Sequence, residues 1–389
     1  MNEQEQKKQQ VLLSKLFLSF LRLGITAFGG PTMVAYIREM SVKKYGWLNQ
    51  EEFKNGVALC QSIPGATAIQ VAGYVGLTKR GLSGAVATFV GFGLPAFLFM
   101  LVLSWAYTMF GDLPRVASLF NGLQVIVVAI VANATYTFAW ETLKKYQDIL
   151  IALASALAFW FGISPFLVIL GAALTGLVAY RIKKTGVQLD TGRTNKHISV
   201  VLIPVAFTIA GVFFLFLINK KLFELSVLMI KIDLFAFGGG FASLPLMLQE
   251  IVNVRGWMDS KTFMDGIALG QITPGPIVIT ATFVGFITNG LSGAFVATMS
   301  IFIPSFILLI LGANIFHRLQ QSVVFQQAVK GIFASFVGLL LFVTFKFAFA
   351  VSWNAIKVII AGCSIAALLK KIDILYVVLA GAIISIFLL

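Results

Sequence analysis

The chain contains 389 residues, of which 59% are hydrophobic and 11% are charged. Soluble domains have about 45–50% apolar and about 25% charged residues, so this composition excludes a soluble protein. The apolar stretches run continuously for about 17–25 residues, which predicts membrane helices and not the short alternating segments of a β-barrel. The net charge of +14 is typical of a membrane protein with Lys and Arg at its helix ends and cytoplasmic loops, and it requires no nucleic acid partner.

The predicted elements divide the chain into two halves joined by a basic segment. Residues 1–11 form a polar N-terminus that is expected to stay in the cytoplasm, and the first span acts as the targeting signal. The first half covers 12–180, a basic linker with an extra helix covers 181–221, and the second half covers 222–389. The predicted spans, in chain order, are 12–36, 53–77, 82–110, 116–140, 149–161, 164–180, 199–218, 222–247, 263–288, 291–315, 323–348, 354–369 and 373–389.

One series of short motifs occurs once in each half, at an offset of 209 or 210 residues. The series consists of Phe-Gly-Gly at 28–30 and 237–239, Gly-Trp at 46–47 and 256–257, Gln-x-x-Pro-Gly at 61–65 and 271–275, and Gly-Leu-Ser-Gly-Ala at 81–85 and 290–294. Glycine and proline at matching places inside apolar segments predict broken membrane helices, which in secondary transporters build the substrate site. The sequence therefore predicts an all-α membrane transporter made of two repeats with broken or re-entrant helices.

The number of predicted spans indicates how the two repeats are oriented. If each span crosses the bilayer once, about seven crossings separate the starts of the two repeats. An odd number predicts that the second repeat enters the membrane from the opposite side, as an inverted repeat. With the N-terminus inside, most basic clusters fall on the cytoplasmic side, whereas the pairs Lys43–Lys44 and Lys220–Lys221 do not.

Two cations precede the Phe-Gly-Gly motifs at equivalent positions, Arg22 and Lys231. A charge inside an apolar run is costly, so it usually faces a cavity or a partner. We interpret both as groups that attract an anionic substrate; the alternative is snorkelling to the interface or pairing with Asp233 or Glu224. The Gly-Gly steps, Gly29–Gly30 and Gly238–Gly239, would bring backbone N–H groups close to that anion.

The Gln-x-x-Pro-Gly motifs supply the second set of candidate ligands. Proline removes a backbone donor and frees a carbonyl group, and nearby Gln, Ser and Thr side chains can satisfy the interrupted helix or bind an oxyanion. The substrate-binding candidates are Gln61, Ser62, Pro64 and Gly65 in the first copy and Gln271, Thr273, Pro274 and Gly275 in the second, together with Phe28 and Phe237. Glu39, Glu250 and Asp233 are candidates for proton coupling or gating, although an interfacial anchor is the simpler explanation of the Glu39 and Glu250 segments.

The ordered motifs in both halves resemble the chromate ion transporter family, in its long form with two fused homologous domains. The resemblance covers nearly the whole chain and implies multi-pass insertion in a bacterial-type cell membrane. It also implies transport of chromate, by efflux coupled to the proton motive force, with sulfate as a related dianion. By position, the family's functional residues would correspond here to Arg22, Phe28, Gly29, Gly30, Pro31, Glu39, Trp47, Pro64 and Gly65. The first copy departs from the pattern, because Ala66 stands where the second copy has Pro276.

Three alternatives remain open from the sequence. The substrate could be sulfate or another oxyanion that chromate mimics, and the protein could be a channel rather than a coupled transporter. A membrane enzyme would need a nucleophile beside a base, and the ionisable groups in the apolar segments are too few to supply one. The two cysteines, Cys60 and Cys363, and the two histidines, His197 and His317, form no metal-binding pattern, so no cofactor is expected. The expected partners are a dianion, protons and lipid, with a homodimer as the assembly.

Overall fold

The computed structural model describes residues 11–28, 31–111, 113–180 and 198–389, without the side chains at 31, 198–200 and 316–320. Within these residues the secondary structure is helical and contains no strand. The expected polar N-terminus and most of the basic linker lie outside the described residues. The predicted all-α fold is confirmed, and the same order of elements is seen in both halves.

The helices of the first half are α1 (Leu13–Thr26), α2 (Pro31–Arg38), α3 (Gln50–Ser62), α4 (Thr67–Phe110), α5 (Pro114–Thr142), α6 (Tyr146–Trp160) and α7 (Pro165–Ala179). The extra helix is α8 (Ile198–Ile218). The helices of the second half are α9 (Lys220–Phe235), α10 (Ser243–Met247), α11 (Ser260–Ile272), α12 (Thr280–Gln321), α13 (Val323–Ala350), α14 (Ala355–Leu369) and α15 (Ile374–Leu388). A π-helical turn follows α2 over Glu39–Lys44, and another follows α10 over Leu248–Val254.

Five of the described helices are long and apolar enough to cross a bilayer: α4, α5, α8, α12 and α13. By contrast, α1 and α3 contain 14 and 13 residues. At 1.5 Å per residue they rise about 20 Å, which is less than the hydrocarbon thickness of about 30 Å. The protein is therefore a multi-pass membrane protein in which long spanning helices pack with shorter ones.

The helices on either side of the Phe-Gly-Gly motif form a helical hairpin in each half. In the first half, the end of the hairpin returns to the start of α1, where Lys15 Nζ lies 5.4 Å from the centre of the Tyr45 ring. Phe20 and Trp47 stack nearby with ring centres 6.3 Å apart. In the second half, Lys231 on α9 reaches Glu250 in the returning π-helical turn. The two arms of each hairpin therefore lie side by side, which favours the re-entrant alternative over the single crossings that the span count assumed for 12–36 and 222–247.

The Gln-x-x-Pro-Gly segments are the tips of a second pair of re-entrant hairpins. The arms of the first pack antiparallel, because Gly56 on α3 lies directly against the Tyr74 ring near the start of α4. Gly266 on α11 packs in the same way against Phe283 on α12. Each returning arm then bends, at Arg80–Gly81 in α4 and Asn289–Gly290 in α12, into the long spanning part of the same helix.

The remaining short helices exchange partners between the halves. The α6–α7 pair packs along α13, where Gly338 meets the Ala152 backbone and Gly331 meets the Ala172 backbone. The α14–α15 pair packs along α5, where Gly122 contacts Ser385 and Gly381 contacts Ile126. Small residues at these crossings let the helix backbones approach closely, as is usual in membranes.

The orientation of the halves follows from the crossings between them. The hairpins return the chain to the side from which it entered, and α6 and α7 run antiparallel to each other along α13. That leaves α4, α5 and α8 as crossings, and their number is odd. The second repeat therefore enters from the opposite face, so the four hairpins approach the centre from both sides.

Candidate functional site

The hairpin tips of the two halves are joined at the centre of the molecule by reciprocal backbone hydrogen bonds. Gly65 N–H donates to the carbonyl oxygen of Ala236 at 3.0 Å, and Gly275 N–H donates to that of Ala27 at 3.1 Å. Thus each Pro-Gly tip is bound to the segment preceding Phe-Gly-Gly in the other repeat. Both glycines need the left-handed backbone, with φ of +111° and +119°.

A cavity of about 1540 Å³ extends from these tips to one end of the bundle. Its inner end is formed by both repeats: Gln61, Ser62 and Thr67 from the first, and Gly238, Gly239, Gln271, Thr273 and Gly275 from the second. Its mouth lies where α5 ends, α6 begins, α7 ends and α13 begins, and is lined by Glu141, Lys144, Lys145, Asp148, Tyr180 and Lys330. The cavity thus places many of the predicted motif residues around one space.

A buried side-chain hydrogen-bond donor without a protein partner lies at the inner end. Gln271 is 9% exposed, and its side-chain Nε2 has no acceptor within the described part of the chain. The hydroxyl groups of Ser62 and Thr273 are engaged instead, since they donate to Ala58 O at 2.7 Å and Gly270 O at 2.9 Å. A buried amide donor without a partner carries a desolvation cost that an anionic ligand would remove.

The N-terminus of α4 adds backbone donors to the same place. The helix begins at Thr67, and its N-cap residue, Ala66, offers no side-chain acceptor. Ala66, Thr67 and Ala68 all line the cavity, so the unpaired N–H groups of the first turn lie at its wall. Helix N-termini carry partial positive charge and bind anions, which makes this end of the cavity suited to an oxyanion.

Four cations line the cavity that the sequence did not single out: Arg38, Lys144, Lys145 and Lys330. The acidic residue Asp148 beside them is buried, and it accepts hydrogen bonds from the Lys144 and Lys145 backbone and from Tyr180 at 2.6 Å. Burial, with the hydrogen bond to Asp148, raises the pKa of Tyr180 above its ordinary value, so this phenol remains a neutral donor. The carboxylate is thereby satisfied locally and the lysine ammonium groups remain at the mouth.

The two cations predicted from the sequence do not line the cavity. Arg22 is exposed and makes no ion pair among the described residues. Lys231 lies 3.3 Å from Glu250 Oε1, and its ammonium group lies 3.7 Å from the centre of the Phe166 ring. Their role as substrate ligands stays a prediction. The structure places them neither beside the donors at the inner end of the cavity nor beside each other.

The structure places the remaining candidates as follows. Gly29 and Gly30 lie outside the described residues, whereas Gly238 and Gly239 line the cavity with φ of +98° and +92°. Phe28 and Phe237 are half-buried beside the tips without lining the cavity. Pro64 and Pro274 are buried in the breaks, and Pro64 O accepts a 2.7 Å hydrogen bond from Gln70 Nε2.

The three acidic candidates for coupling have different surroundings. Glu39 forms an exposed pair with Lys43 at 2.7 Å on the protein surface. Glu250 is buried between Lys231 and Arg255, with which it forms ion pairs. Asp233 is fully buried and accepts hydrogen bonds from the backbone and hydroxyl of Ser305, both at 2.7 Å.

The far end of the bundle is closed by a hydrogen-bonded cluster that links the halves. Asp265 on α11 accepts from Tyr107 on α4 at 3.0 Å and from Gln124 on α5 at 2.8 Å. Asp265 and Gln124 are buried, and Tyr107 is half-buried. No local pattern in the sequence could show that these three distant segments meet.

The sequence did contain a signal for part of the missed cavity wall. Asn133, Thr137 and Glu141 recur at four-residue spacing within the apolar α5, and all three line the cavity. Such spacing places them on one helix face. A polar stripe inside an otherwise apolar span indicates contact with water or substrate. For Lys330, a single cation near the start of α13, no comparable pattern exists.

Comparison with known proteins agrees with the duplicated architecture. The sequence profile of the chromate transporter family matches residues 14–177 and 223–386, one match in each half. An uncharacterized transporter of Methanocaldococcus jannaschii is 46% identical over 386 residues, with 98% of this chain and 95% of that protein covered. No solved structure matches significantly.

Two further relatives have names that state a substrate. A chromate transport protein of Cupriavidus metallidurans is 32% identical over 337 residues, covering 84% of this chain and 80% of that protein. A probable chromate transport protein of Synechococcus elongatus is 30% identical over 330 residues, covering 84% and 82%. Together with the match of both halves to one profile, these similarities show that the chain belongs to the chromate transporter family.

Proposed function

We propose that this protein is a secondary active transporter of chromate that moves the anion out of the cytoplasm across the cell membrane in exchange for protons. The observation that carries the proposal is the cavity, whose inner end holds the unpartnered Gln271 amide and the N-terminus of α4. Chromate is a tetrahedral dianion that only accepts hydrogen bonds. It would sit between the tips of both repeats, where donors from each can reach it.

The mouth of the cavity supports entry from the cytoplasm. When the crossings are counted from the N-terminus, the ends of α2, α5 and α7 all lie on one face. Lys43 and Lys44 belong to this face if their hairpin re-enters, which removes the disagreement for this pair, whereas Lys220 and Lys221 at the start of α9 remain on the opposite face. Since Lys and Arg are retained on the cytoplasmic side, the mouth is assigned to the cytoplasm.

The closed far end favours a transporter over a channel. The Asp265 cluster joins the halves opposite the mouth, so the cavity ends at the tips. Passage would require the two repeats to move relative to each other so that this cluster separates while the mouth closes. Such alternating access is the usual mechanism of transporters built from inverted repeats.

The test is flux of labelled chromate in proteoliposomes, with an imposed pH gradient of either sign and with sulfate and molybdate as competitors. We expect saturable chromate flux that a pH gradient drives and that reverses when the gradient reverses. Stronger transport of sulfate or molybdate would identify another oxyanion as the substrate. Flux that ignores the gradient and does not saturate would indicate a channel.

A further inference from the structure

Three buried side-chain atoms within the described residues have no hydrogen-bond partner: Gln271 Nε2, Asp233 Oδ1 and Gln70 Oε1. The first is a donor at the cavity wall. The other two are acceptors, and both belong to side chains that are fully buried. Unpartnered buried polar atoms are rare in folded proteins, and two acceptors of this kind indicate a missing donor or cation.

The two acceptors belong to side chains that surround the same hairpin tip. Gln70 donates its Nε2 to Pro64 O at 2.7 Å, which fixes the orientation of the amide and leaves Oε1 as the free atom. The nearest atoms to the position of a Cβ on Gly65 are Ser305 Oγ and Gln70 Nε2. Ser305 in turn donates to Asp233 Oδ2, and Gly65 N–H binds Ala236 O, three residues after Asp233. Gly65 is therefore packed against the Asp233–Ser305 pair.

No cation neutralises Asp233 in the described part of the chain. The helices packed most extensively against α9 are α8, α10 and α12, and α7 and the π-helical turn over Leu248–Val254 also touch it, through Phe166 and Glu250. In α8, α10 and α12 the only charged or titratable residues are His317 and Arg318, which come 12 and 13 residues after Ser305, about 18 Å along the helix. Lys231, on the same helix as Asp233, is bound to Glu250 and Phe166 instead. An uncompensated buried carboxylate is strongly unfavourable, and a bound proton removes the charge.

We propose that Asp233 is the group that binds the coupled proton, on Oδ1, behind the same tip that presents Thr67 to the substrate cavity. The proton would come from water on one side of the membrane and return to water on the other. Release requires hydration of Oδ1, and hydration requires displacement of the Gly65 tip. Anion binding in front of this tip and proton binding behind it would thereby be linked.

The second repeat has this carboxyl group and the first does not. The positions equivalent to Asp233 and Ser305 are Gly24 and Ala96. The pseudo-symmetric place behind the Gly275 tip therefore contacts the Ala96 methyl group, 2.6 Å from the position of a Cβ on Gly275. We accordingly expect one carboxyl group of this kind per protein, which would bind one proton in each transport cycle.

The inference rests on the proposed transport function, and the experiment separates the two. Parent and Asp233→Asn proteins are reconstituted in liposomes, and two reactions are measured: exchange of labelled for unlabelled chromate, and net uptake driven by a pH gradient at clamped voltage. For the parent, a one-unit pH gradient should give about tenfold accumulation per coupled proton. For Asp233→Asn, exchange should persist while the pH gradient no longer drives accumulation.

Glu39→Gln is the control, because Glu39 is also an acidic coupling candidate from the sequence but is exposed, pairs with Lys43 on the protein surface and does not line the cavity. It should retain accumulation driven by the pH gradient, whatever its rate. If Asp233→Asn does not insert stably, Ser305→Ala serves instead. It removes one donor to the carboxylate and should move the midpoint of the pH profile of net uptake to higher pH.

The outcomes distinguish failure of the proposed transport function from failure of the assignment of the proton to Asp233. No chromate flux by the parent would contradict the proposed function. Parent flux with pH-driven accumulation unchanged in Asp233→Asn, or an unmoved pH midpoint in Ser305→Ala, would overturn the assignment of the proton to Asp233. Accumulation driven by a sodium gradient and not by a pH gradient would overturn the proton as the coupled ion.

Discussion

The two repeats have the same helices but different chemistry at equivalent positions. Behind the central tips, the second repeat has Asp233 and Ser305 where the first has Gly24 and Ala96. The duplication supplies a symmetric frame of hairpins, whose tips make the two reciprocal hydrogen bonds. The groups that would bind a proton occur on one side only, so the difference teaches that coupling need not follow the symmetry of the fold.

The two ends of the bundle also differ in the residues that stand at equivalent positions of the two repeats. At the far end, Asp265 is hydrogen-bonded to Tyr107 and Gln124 of the other repeat. At the mouth, the residues equivalent to Asp265 and Gln124 are Asn55 and Phe333, and Phe333 lines the cavity. A polar cluster therefore holds one end closed, whereas the other end has no equivalent cluster among the described residues.

The largest effect is expected at the Gly65 tip. Gly65→Ala would place a Cβ against Ser305 Oγ in a left-handed backbone, and such a conformation alone costs about 1–3 kcal/mol for a residue with a side chain. We expect loss of transport and a lower melting temperature in detergent. Gly81→Ala is the control, because its φ is +61° and no atom lies within 4 Å of the new Cβ. Equal loss in both variants would show that backbone strain, and not the tip contact, is responsible.

The next effect concerns Gln271 and its counterpart Gln61. Gln271→Leu removes the buried, unpartnered donor, and loss of a hydrogen bond to a charged ligand is worth about 1.5–3 kcal/mol. We expect the KM for chromate to rise at least about tenfold. Gln61→Leu should have a smaller effect, because Gln61 is exposed to the cavity and water can replace it. The repeats would be functionally equivalent if both substitutions raised KM to the same extent.

A smaller effect is expected for the cluster that closes the far end. Tyr107→Phe removes one of two hydrogen bonds to Asp265, worth about 1 kcal/mol, and should increase the population open to the far side. A Met264→Cys reporter, at a side chain that is fully buried, would measure this opening by its labelling rate. Cys363, which is exposed, is first replaced by serine, and Cys60 is buried. Unchanged labelling would show that the cluster does not hold the far end closed.

The smallest effect compares the cation at the mouth with the cation predicted from the sequence. Lys330→Gln should lower chromate uptake from the cytoplasmic side at low ionic strength, with the difference shrinking as salt screens the charge. Arg22→Gln should change uptake less, because Arg22 does not line the cavity. Abolition of transport by Arg22→Gln in stably inserted protein would restore Arg22 as the main anion-attracting group.

The sequence predicted the frame of the protein better than its contacts. Composition and the repeated Gly and Pro residues were sufficient for the helical class, the two halves and the positions of the helix breaks. They could not show that 12–36 folds back, because a re-entrant hairpin is as apolar as a crossing helix. The pairing of Gly65 with Ala236 joins segments about 170 residues apart, and no local propensity encodes such a contact.

The sequence was likewise insufficient to predict which cations line the cavity. Arg22 and Lys231 stood out because they interrupt apolar runs at equivalent positions. Lys144 and Lys330 have no such repeat partner, and they face the cavity because α5 and α13 meet between the halves. Only the stripe of Asn133, Thr137 and Glu141 could have marked this wall from the sequence.

The central claim is that the anion binds between the tips of the two repeats, and anomalous diffraction at the chromium edge from crystals grown with chromate tests it most directly. We predict a peak within hydrogen-bonding distance of Gln271 Nε2 and beside the N-terminus of α4, lost in Gln271→Leu crystals. A peak beside Arg22 or Lys231 with none at the tips would contradict the account.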